Sequence, residues 1–217
     1  IADVHEHGHD AARYLAADRG DAPRLDRARS GDGGLQLGRL DALGLDALGP
    51  GRDPKTGELK QRPADGQSRV DWIGGTGFGF DIRSEADADL ARRIMEFDAL
   101  NQTSKTRRCE QDCVHLSLGW KAGETPTRQE MEAAADDALK ALGMGNAKAL
   151  FVAHRDENHA HVHIVASKIN PATGRAYDLA GSWRTLSKWA QAYELEHGGM
   201  LCTRREGANE LRDAIAD

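Results

Sequence analysis

The sequence predicts an α+β fold in which a mostly antiparallel central sheet is flanked by helices. Three observations support this prediction: helical and strand patterns alternate along the chain, one strand shows a period of two, and two apolar strands are separated by a short turn. These two strands, at residues 149–154 and 159–168, form a hairpin. Because hairpin connections give antiparallel pairs, we expect this hairpin to lie at the centre of the sheet.

The first third of the chain has little regular pattern. Residues 1–5 predict a short strand, and the Ala-rich stretch that begins at Asp10 predicts a helix. In residues 20–67, glycine and aspartate recur between isolated leucines, which is typical of a mobile, insertion-like segment. Residues 69–73 then predict a strand that ends in a glycine-rich turn at residues 74–77.

The remaining elements carry stronger signals. Ser84 and Asp87 predict the start of an amphipathic helix with Leu90, Ile94 and Phe97 on its apolar side. A strand is predicted at 113–120, with Val114, Leu116 and Leu118 on one face. The capping box Thr127–Glu130 predicts the start of a helix whose apolar stripe contains Met131, Ala135, Leu139 and Leu142. Two more helices are predicted, one at 182–197 that ends before Gly198 and a terminal one at 204–217.

Length and composition indicate a globular protein without a membrane span. The chain has 217 residues, of which 39% are hydrophobic and 29% charged, so it is long enough for one proper core. No apolar run approaches the roughly 20 residues needed to cross a bilayer, and no signal-peptide pattern opens the chain. Three scattered cysteines suit a reducing compartment, so we expect a cytoplasmic protein with no membrane insertion. The formal charge of −6 argues against a protein that coats duplex DNA, but not against a site that grips a short single strand.

The most informative feature is the run from His154 to His163, which reads His-Arg-Asp-Glu-Asn-His-Ala-His-Val-His. Alternate side chains of a strand share a face, so His161 and His163 face the same way, and the hairpin brings His154 opposite them. Imidazole is the commonest metal ligand in proteins. The sequence therefore predicts that these three histidines hold a divalent metal ion with open positions for substrate oxygens. The alternative is a solvated, histidine-rich strand edge or a stabilising ladder of hydrogen bonds.

Further polar residues surround this predicted metal site. Asp156 and Glu157 lie in the turn, where a carboxylate can accept the second ring N–H of a ligand imidazole. His159 is either a fourth ligand or a donor to a phosphate outside the metal. His115 belongs to a strand that we expect beside the hairpin, on the face away from the apolar side chains. It is therefore either a neighbour of the site or a structural histidine.

Other metalloenzyme signatures do not fit this run. The metalloprotease motif His-Glu-x-x-His is absent, and so is the His-x-Glu and Pro-Cys-x-x-Cys pairing of deaminases. A metal held by three histidines can either activate water for hydrolysis or draw charge from a phosphate that a side chain attacks. The histidine run by itself leaves both reactions open.

Several stretches of the sequence, taken together, resemble one family. They are Ala-Ala-Arg-Tyr-Leu at 11–15, Val-His-Leu-Ser-Leu-Gly-Trp at 114–120, the histidine run at 154–163, and Lys-Ile-Asn-Pro-x-x-Gly at 168–174. These motifs resemble those of relaxases, the mobilisation nucleases of conjugative plasmids and integrative elements. Relaxases belong to the HUH superfamily, and the resemblance is closest to the P-type branch.

The resemblance implies both a fold and a reaction. The fold is HUH-endonuclease-like, with residues 1–217 as a single nicking domain. In relaxases a tyrosine near the N-terminus attacks a phosphodiester at the origin of transfer, stays joined to the DNA 5′ end and releases a 3′ hydroxyl. By position this nucleophile is Tyr14, and Tyr177 is its rival in a loop near the hairpin. Asp156 is a candidate for the catalytic base, and the cofactor is a divalent ion, Mg or Mn.

The implied partners follow from the same resemblance. They are single-stranded or extruded origin DNA, accessory DNA-binding proteins of a relaxosome, and the coupling protein of a type IV secretion system. The residues expected to contact DNA are Arg13, Lys105, Arg107 and Arg108. Relaxases often add a carboxylate or serine near the metal from the preceding helix, for which the candidates are Glu96, Asp98 and Ser104.

Three alternatives remain open at this point. The first is a rolling-circle replication initiator of the same superfamily, although initiators place the tyrosine after the histidine motif. The second is a non-catalytic, metal-stabilised module that binds single-stranded DNA, in which Tyr14 stacks on a base. The third is a metal-dependent hydrolase of small phosphoesters.

Overall fold

The structure is a computed structural model that describes residues 2–3, 36–38, 69–101, 109, 111–154, 159–198, 207–211 and 214. Within these residues the strands are β1 (Ala2–Asp3), β2 (Gln36–Gly38), β3 (Val70–Thr76), β4 (Cys113–Trp120), β5 (Ala149–His154) and β6 (His161–Ser167). The helices are α1 (Glu85–Leu100), α2 (Arg128–Ala141) and α3 (Ser182–Glu196), and residues 207–211 are also helical.

The described strands form one antiparallel sheet. Its order is β1-β4-β6-β5-β3, and β2 pairs with β4 as well. The histidine-bearing strands β5 and β6 are neighbours within the sheet, and their register sets His154 directly opposite His161. The predicted α+β class and the central histidine hairpin are therefore confirmed.

One face of the sheet packs against α2 and α3 and forms the larger core. From β4 it receives Val114, Leu116 and Leu118, as the period-two pattern predicts. Trp189 in α3 donates its indole N–H to Asp137 Oδ2 of α2 at 2.9 Å, which holds the two helices together. The predicted apolar stripe of α2 is confirmed, because its members are all buried: Met131, Ala135, Leu139 and Leu142.

The opposite face is covered in part by α1, and here the prediction from sequence is wrong. Two of the three predicted apolar residues of α1 point outward, with Leu90 50% and Phe97 65% exposed, and the third, Ile94, is half-buried. Small residues and one methionine make the buried side of the helix instead: Ala88, Ala91, Met95 and Ala99. These small side chains let the helix pack closely, and most of them share a buried cluster with the sheet residues Leu150 and Val152.

Strand β3 extends beyond its predicted end at residue 73, because two glycines that were expected to form a turn belong to the strand. Residues 74–77 were expected to turn, yet β3 pairs with β5 as far as Thr76. A Cβ atom at Gly75 would lie 2.6 Å from the Ala149 carbonyl oxygen and 2.7 Å from Ile82 Cδ1. Glycine is needed at this position for close packing, and the chain turns only afterwards, at Gly77 with φ of +83°.

Both predicted capping boxes are present. In α1 the Ser84 hydroxyl accepts from the Asp87 backbone N–H, and the Asp87 carboxylate accepts from the Ser84 backbone N–H. In α2 the Glu130 carboxylate accepts the Thr127 N–H at 2.7 Å, and the Thr127 hydroxyl accepts the Glu130 N–H at 3.3 Å. These bonds satisfy backbone donors that have no partner within the helix.

Replacing Thr127 by alanine is expected to lower the free energy of unfolding by about 1 kcal/mol, since an N-cap hydroxyl is lost. Urea unfolding followed by circular dichroism measures this change. Thr125→Ala is the matched control, because Thr125 is exposed in the loop before α2. Equal losses in the two variants would show that the cap contributes nothing specific.

Several sequence predictions lie outside the described residues. These are the helix that begins at Asp10, the segment 20–67 apart from β2, the turn at 156–158, and the terminal helix apart from 207–211 and 214. Among the helices that the structure does describe, none combines the length and apolar character needed to cross a membrane.

Candidate metal centre

Three histidines from β5 and β6 converge at the end of the central hairpin. The ring centroid of His154 lies 5.2 Å from that of His161 and 4.4 Å from that of His163, and the last two rings are 5.3 Å apart. One ring nitrogen from each histidine lies within 4.8 Å of the others. His154 and His161 are buried. The structure therefore brings together the three residues that the sequence predicts as metal ligands.

The three rings lie on the sheet face that α1 covers only in part. Alternate residues of β6 place His161 and His163 on the same face as Val165, which packs beneath α1. In β5 the same alternation places His154 with Leu150 and Val152. The hydrophobic core and the histidine cluster thus occupy successive stretches of one face, with the histidines at the end away from α1.

His115 reaches the cluster from the neighbouring strand β4. Its Nε2 lies 2.9 Å from Nδ1 of His163, and the two rings are nearly parallel with centroids 5.0 Å apart. Burial lowers the pKa of His115 to about 4. Burial, and then the charges of neighbouring groups, hold the pKa of His163 well below its usual value. Both rings are neutral at pH 7, which is the form of imidazole that binds metals.

Arg69 is a member of the cluster that the sequence did not reveal. Its Nη2 lies 2.7 Å from Nδ1 and 3.4 Å from Nε2 of His154. The pairing of Val70 with His154 brings it there from the residue just before β3. No local pattern marks this arginine, because the contact joins residues 85 positions apart.

The Arg69 guanidinium and a metal ion would compete for His154. Arginine is always a donor, so the ring nitrogen that it contacts must offer its lone pair, as it would to a metal. We expect Arg69→Met to raise the affinity for Mn²⁺ about tenfold, since a nearby positive charge and a competing donor are both removed. Titration calorimetry measures this affinity. Arg93→Met, on the exposed side of α1, is the control, and an unchanged or weaker affinity in Arg69→Met would contradict the prediction.

The donor set is chemically suited to a divalent transition metal. Three neutral imidazole nitrogens can bind one ion and leave positions open for other ligands. One ligand nitrogen from each ring lies within 4.8 Å of the other two, which is close enough for the group to hold one ion. In the described part of the chain, His154, His161 and His163 are the group of potential metal-binding side chains whose ligand atoms lie this close together.

The other predicted site residues are placed less completely. His159 lies just before β6, with its ring 5.4 Å from that of His161, and it is not part of the group of three. The remaining predicted residues lie outside the part of the chain that the structure describes: Arg13, Tyr14, Lys105, Arg107, Arg108, Asp156 and Glu157.

The two described tyrosines lie on the other side of the sheet from the histidines. Tyr177 and Tyr193 both pack against the larger core beneath α2 and α3. Burial raises the pKa of each phenol, which makes it harder to ionise. The Tyr177 hydroxyl is buried with no hydrogen-bond partner in the described structure. Neither tyrosine is placed to reach a phosphate at the histidine cluster.

The two acidic candidates on α1 form ion pairs with basic side chains. The Asp98 carboxylate bonds the Lys148 ammonium at 2.5 Å, beside the start of β5 and therefore at the opposite end of that strand from His154. The Glu96 carboxylate pairs with Arg92 on its own helix. The third candidate, Ser104, lies outside the described residues.

Comparison with known proteins agrees with this geometry. Residues 79–199 match the family described as relaxase, MobA/VirD2-like, nuclease domain. Two Escherichia coli proteins named TraI are 24% identical over 115 residues and 27% identical over 97 residues, which is 53% and 45% of this chain. A protein named MobA from Acidithiobacillus ferrooxidans is 24% identical over 93 residues, or 39% of this chain.

These matches span only 16%, 13% and 23% of the respective relatives. A chain in a solved structure described as "Molecular Basis of Vancomycin Resistance Transfer in Staphylococcus aureus" is 14% identical, with a TM-score of 0.44, over 77% of this chain and 94% of that one. The family match covers more than half of the sequence and includes the whole histidine hairpin. This chain belongs to the MobA/VirD2-like relaxases, through their nuclease domain.

Proposed function

We propose that this protein nicks one strand of DNA at an origin of transfer and later rejoins it, through a covalent 5′-phosphotyrosine formed by Tyr14. His154, His161 and His163 hold the divalent ion, and residues 1–217 act as a single nicking domain. The observation that carries the proposal is the cluster of three imidazoles on the sheet face away from Tyr177 and Tyr193. Since the chain has only three tyrosines, Tyr14 is the one left for this site.

The proposed reaction is a reversible exchange of phosphodiester bonds. The Tyr14 oxygen bonds to phosphorus, the bond from phosphorus to the DNA 3′ oxygen breaks, and that oxygen takes a proton and leaves as a hydroxyl. A phenol with a pKa of about 10 is a poor nucleophile at neutral pH, so its proton must pass to a base, for which Asp156 is our candidate. When bound, the divalent ion supplies positive charge to the non-bridging phosphate oxygens.

The nitrogen ligands favour one of the two predicted metals over the other. Mg²⁺ prefers oxygen ligands, whereas imidazole suits transition metals. Of the two metals predicted from sequence, the three histidines therefore favour Mn²⁺. All three ligands are neutral, so the full charge of the ion remains available to the phosphate.

The DNA and protein partners are proposed at the level of the family. The substrate is single-stranded or extruded origin DNA in the bacterial cytoplasm, contacted by Arg13, Lys105, Arg107 and Arg108. Glu157 and His159 contribute to the surroundings of the metal or to the phosphate. Accessory relaxosome proteins and a type IV secretion coupling protein are the expected protein partners, since a chain with net charge −6 has little general attraction for DNA.

A doubly labelled oligonucleotide tests the proposal. Single-stranded oligonucleotides tiled over the origin of the element that encodes the chain carry one label at the 5′ end and another at the 3′ end, and Mn²⁺ is present. A 5′-phosphotyrosine predicts a denaturation-resistant adduct that retains only the 3′ label, together with a free fragment that carries the 5′ label. Chelation of the metal is expected to abolish both products.

Rejoining is the second part of the test. A new strand with a free 3′ hydroxyl, added after cleavage, is expected to receive the DNA held by the protein and to release the adduct. Cleavage without an adduct would favour hydrolysis over the proposed exchange, and binding without any cleavage would favour a non-catalytic DNA-binding module.

A further inference from the structure

An imidazole-to-imidazole hydrogen bond connects the metal site to the next strand. His115 Nε2 lies 2.9 Å from His163 Nδ1. His115 is not directly opposite His163 in the sheet, because Ser117 has that position and His115 pairs with Val165. The contact is therefore a diagonal one between residues on the same face of adjacent strands, which long side chains can span.

The protons on this pair of rings are fixed by the chemistry of metal binding. A neutral imidazole has one N–H and one lone pair. If His163 binds a metal, it must do so through Nε2, since Nδ1 is engaged by His115. The proton of His163 then lies on Nδ1 and is donated to Nε2 of His115, whose own proton lies on Nδ1. The reverse arrangement would put a proton on the ligand nitrogen of His163 and exclude the metal.

We propose that His115 is a positioning residue of the metal site: it accepts the Nδ1–H of His163 and so fixes the ring orientation and the tautomer that binds metal. The inference rests on the proposed role of His163 as a ligand. Ligand histidines usually donate this proton to a carboxylate, a backbone carbonyl or water. A neutral imidazole accepts the same hydrogen bond without adding negative charge beside the phosphate that the site is proposed to bind.

Substitutions at His115 separate the loss of a hydrogen-bond acceptor from the loss of the ring. His115→Leu removes the acceptor, and we expect the affinity for Mn²⁺, measured by titration calorimetry, to fall about 10- to 100-fold. His115→Gln keeps an acceptor oxygen at a similar distance from the backbone and is expected to retain most of the affinity. Ser117→Ala, on the same strand and directly opposite His163, is the control for a general disturbance of β4 and is expected to bind Mn²⁺ as the unaltered protein does.

Nitrogen NMR of histidine-labelled protein loaded with diamagnetic Zn²⁺ gives an independent readout. We expect a protonated Nδ1 on His163 and an unprotonated Nε2 on His115. The opposite assignment would overturn the proposal, as would unchanged Mn²⁺ affinity in a folded His115→Leu variant, or an equal loss in His115→Gln. Failure of the unaltered protein to bind Mn²⁺ or Zn²⁺ would instead refute the metal site of the proposed function.

Discussion

Replacing Tyr14 by phenylalanine is expected to abolish the covalent protein–DNA adduct completely. The substitution removes one oxygen, the atom that we propose to attack the phosphate, and leaves the ring for packing or base stacking. The doubly labelled oligonucleotide assay measures the effect, with DNA affinity measured in parallel. We expect binding of uncleaved DNA to persist, because the metal ligands and basic side chains are unchanged.

Tyr177→Phe is the matched control for this experiment. The Tyr177 hydroxyl is buried without a partner on the far side of the sheet, so its removal is expected to leave both the fold and the adduct intact. An adduct that survives in Tyr14→Phe would identify another nucleophile. Cleavage that survives without an adduct would show that water, and not a side chain, attacks the phosphate.

The second large effect is expected from the proposed metal ligands. His161→Ala removes one of three imidazoles, and we expect Mn²⁺ affinity to fall by more than the 10- to 100-fold typical of residues that only support a ligand. Because a metal contributes several kcal/mol to the stabilisation of charge on a phosphate, nicking is expected to fall by roughly 10²- to 10⁴-fold. Titration calorimetry and the nicking rate measure the two losses separately.

His197→Ala is the control for the loss of a histidine elsewhere. His197 follows α3, is exposed, and stacks on Tyr193 on the opposite side of the sheet from the metal site. We expect metal affinity and nicking to stay unchanged in this variant. Undiminished nicking in His161→Ala at low Mn²⁺ would mean that the histidine cluster does not serve the reaction.

The histidine hairpin was predictable because its signals are local. Period-two alternation in β6 places His161 and His163 on one face, and the hairpin brings His154 opposite them, whereas the sequence left His115 as either a neighbour of the site or a structural histidine. Three residues of the same type on one face then indicate a shared chemical role. Alternation in β4 also places Ser117 on this face, although no sequence pattern singles it out.

The errors came from features that depend on the tertiary structure. Helix α1 has two sides at helical spacing, a bulky one with Leu90 and Phe97 and a small one of alanines, and only the packing distance to the sheet decides between them. Gly75 lies within a strand because Ala149 and Ile82 leave no space for a side chain. The contact of Arg69 with His154 depends on the pairing of β3 with β5, which no local pattern encodes.

The two unlike faces of the sheet also affect how this protein can change over generations. Most of the bulky packing lies beneath α2 and α3, while the histidines occupy the other face of the same strands. Volume-conserving substitutions beneath these two helices usually cost less than about 1.5 kcal/mol and lie on the other side of the sheet from the histidines. Sequence can therefore drift on one side of the sheet while the histidine side is held constant, and an engineer seeking a more stable variant has the same side on which to work.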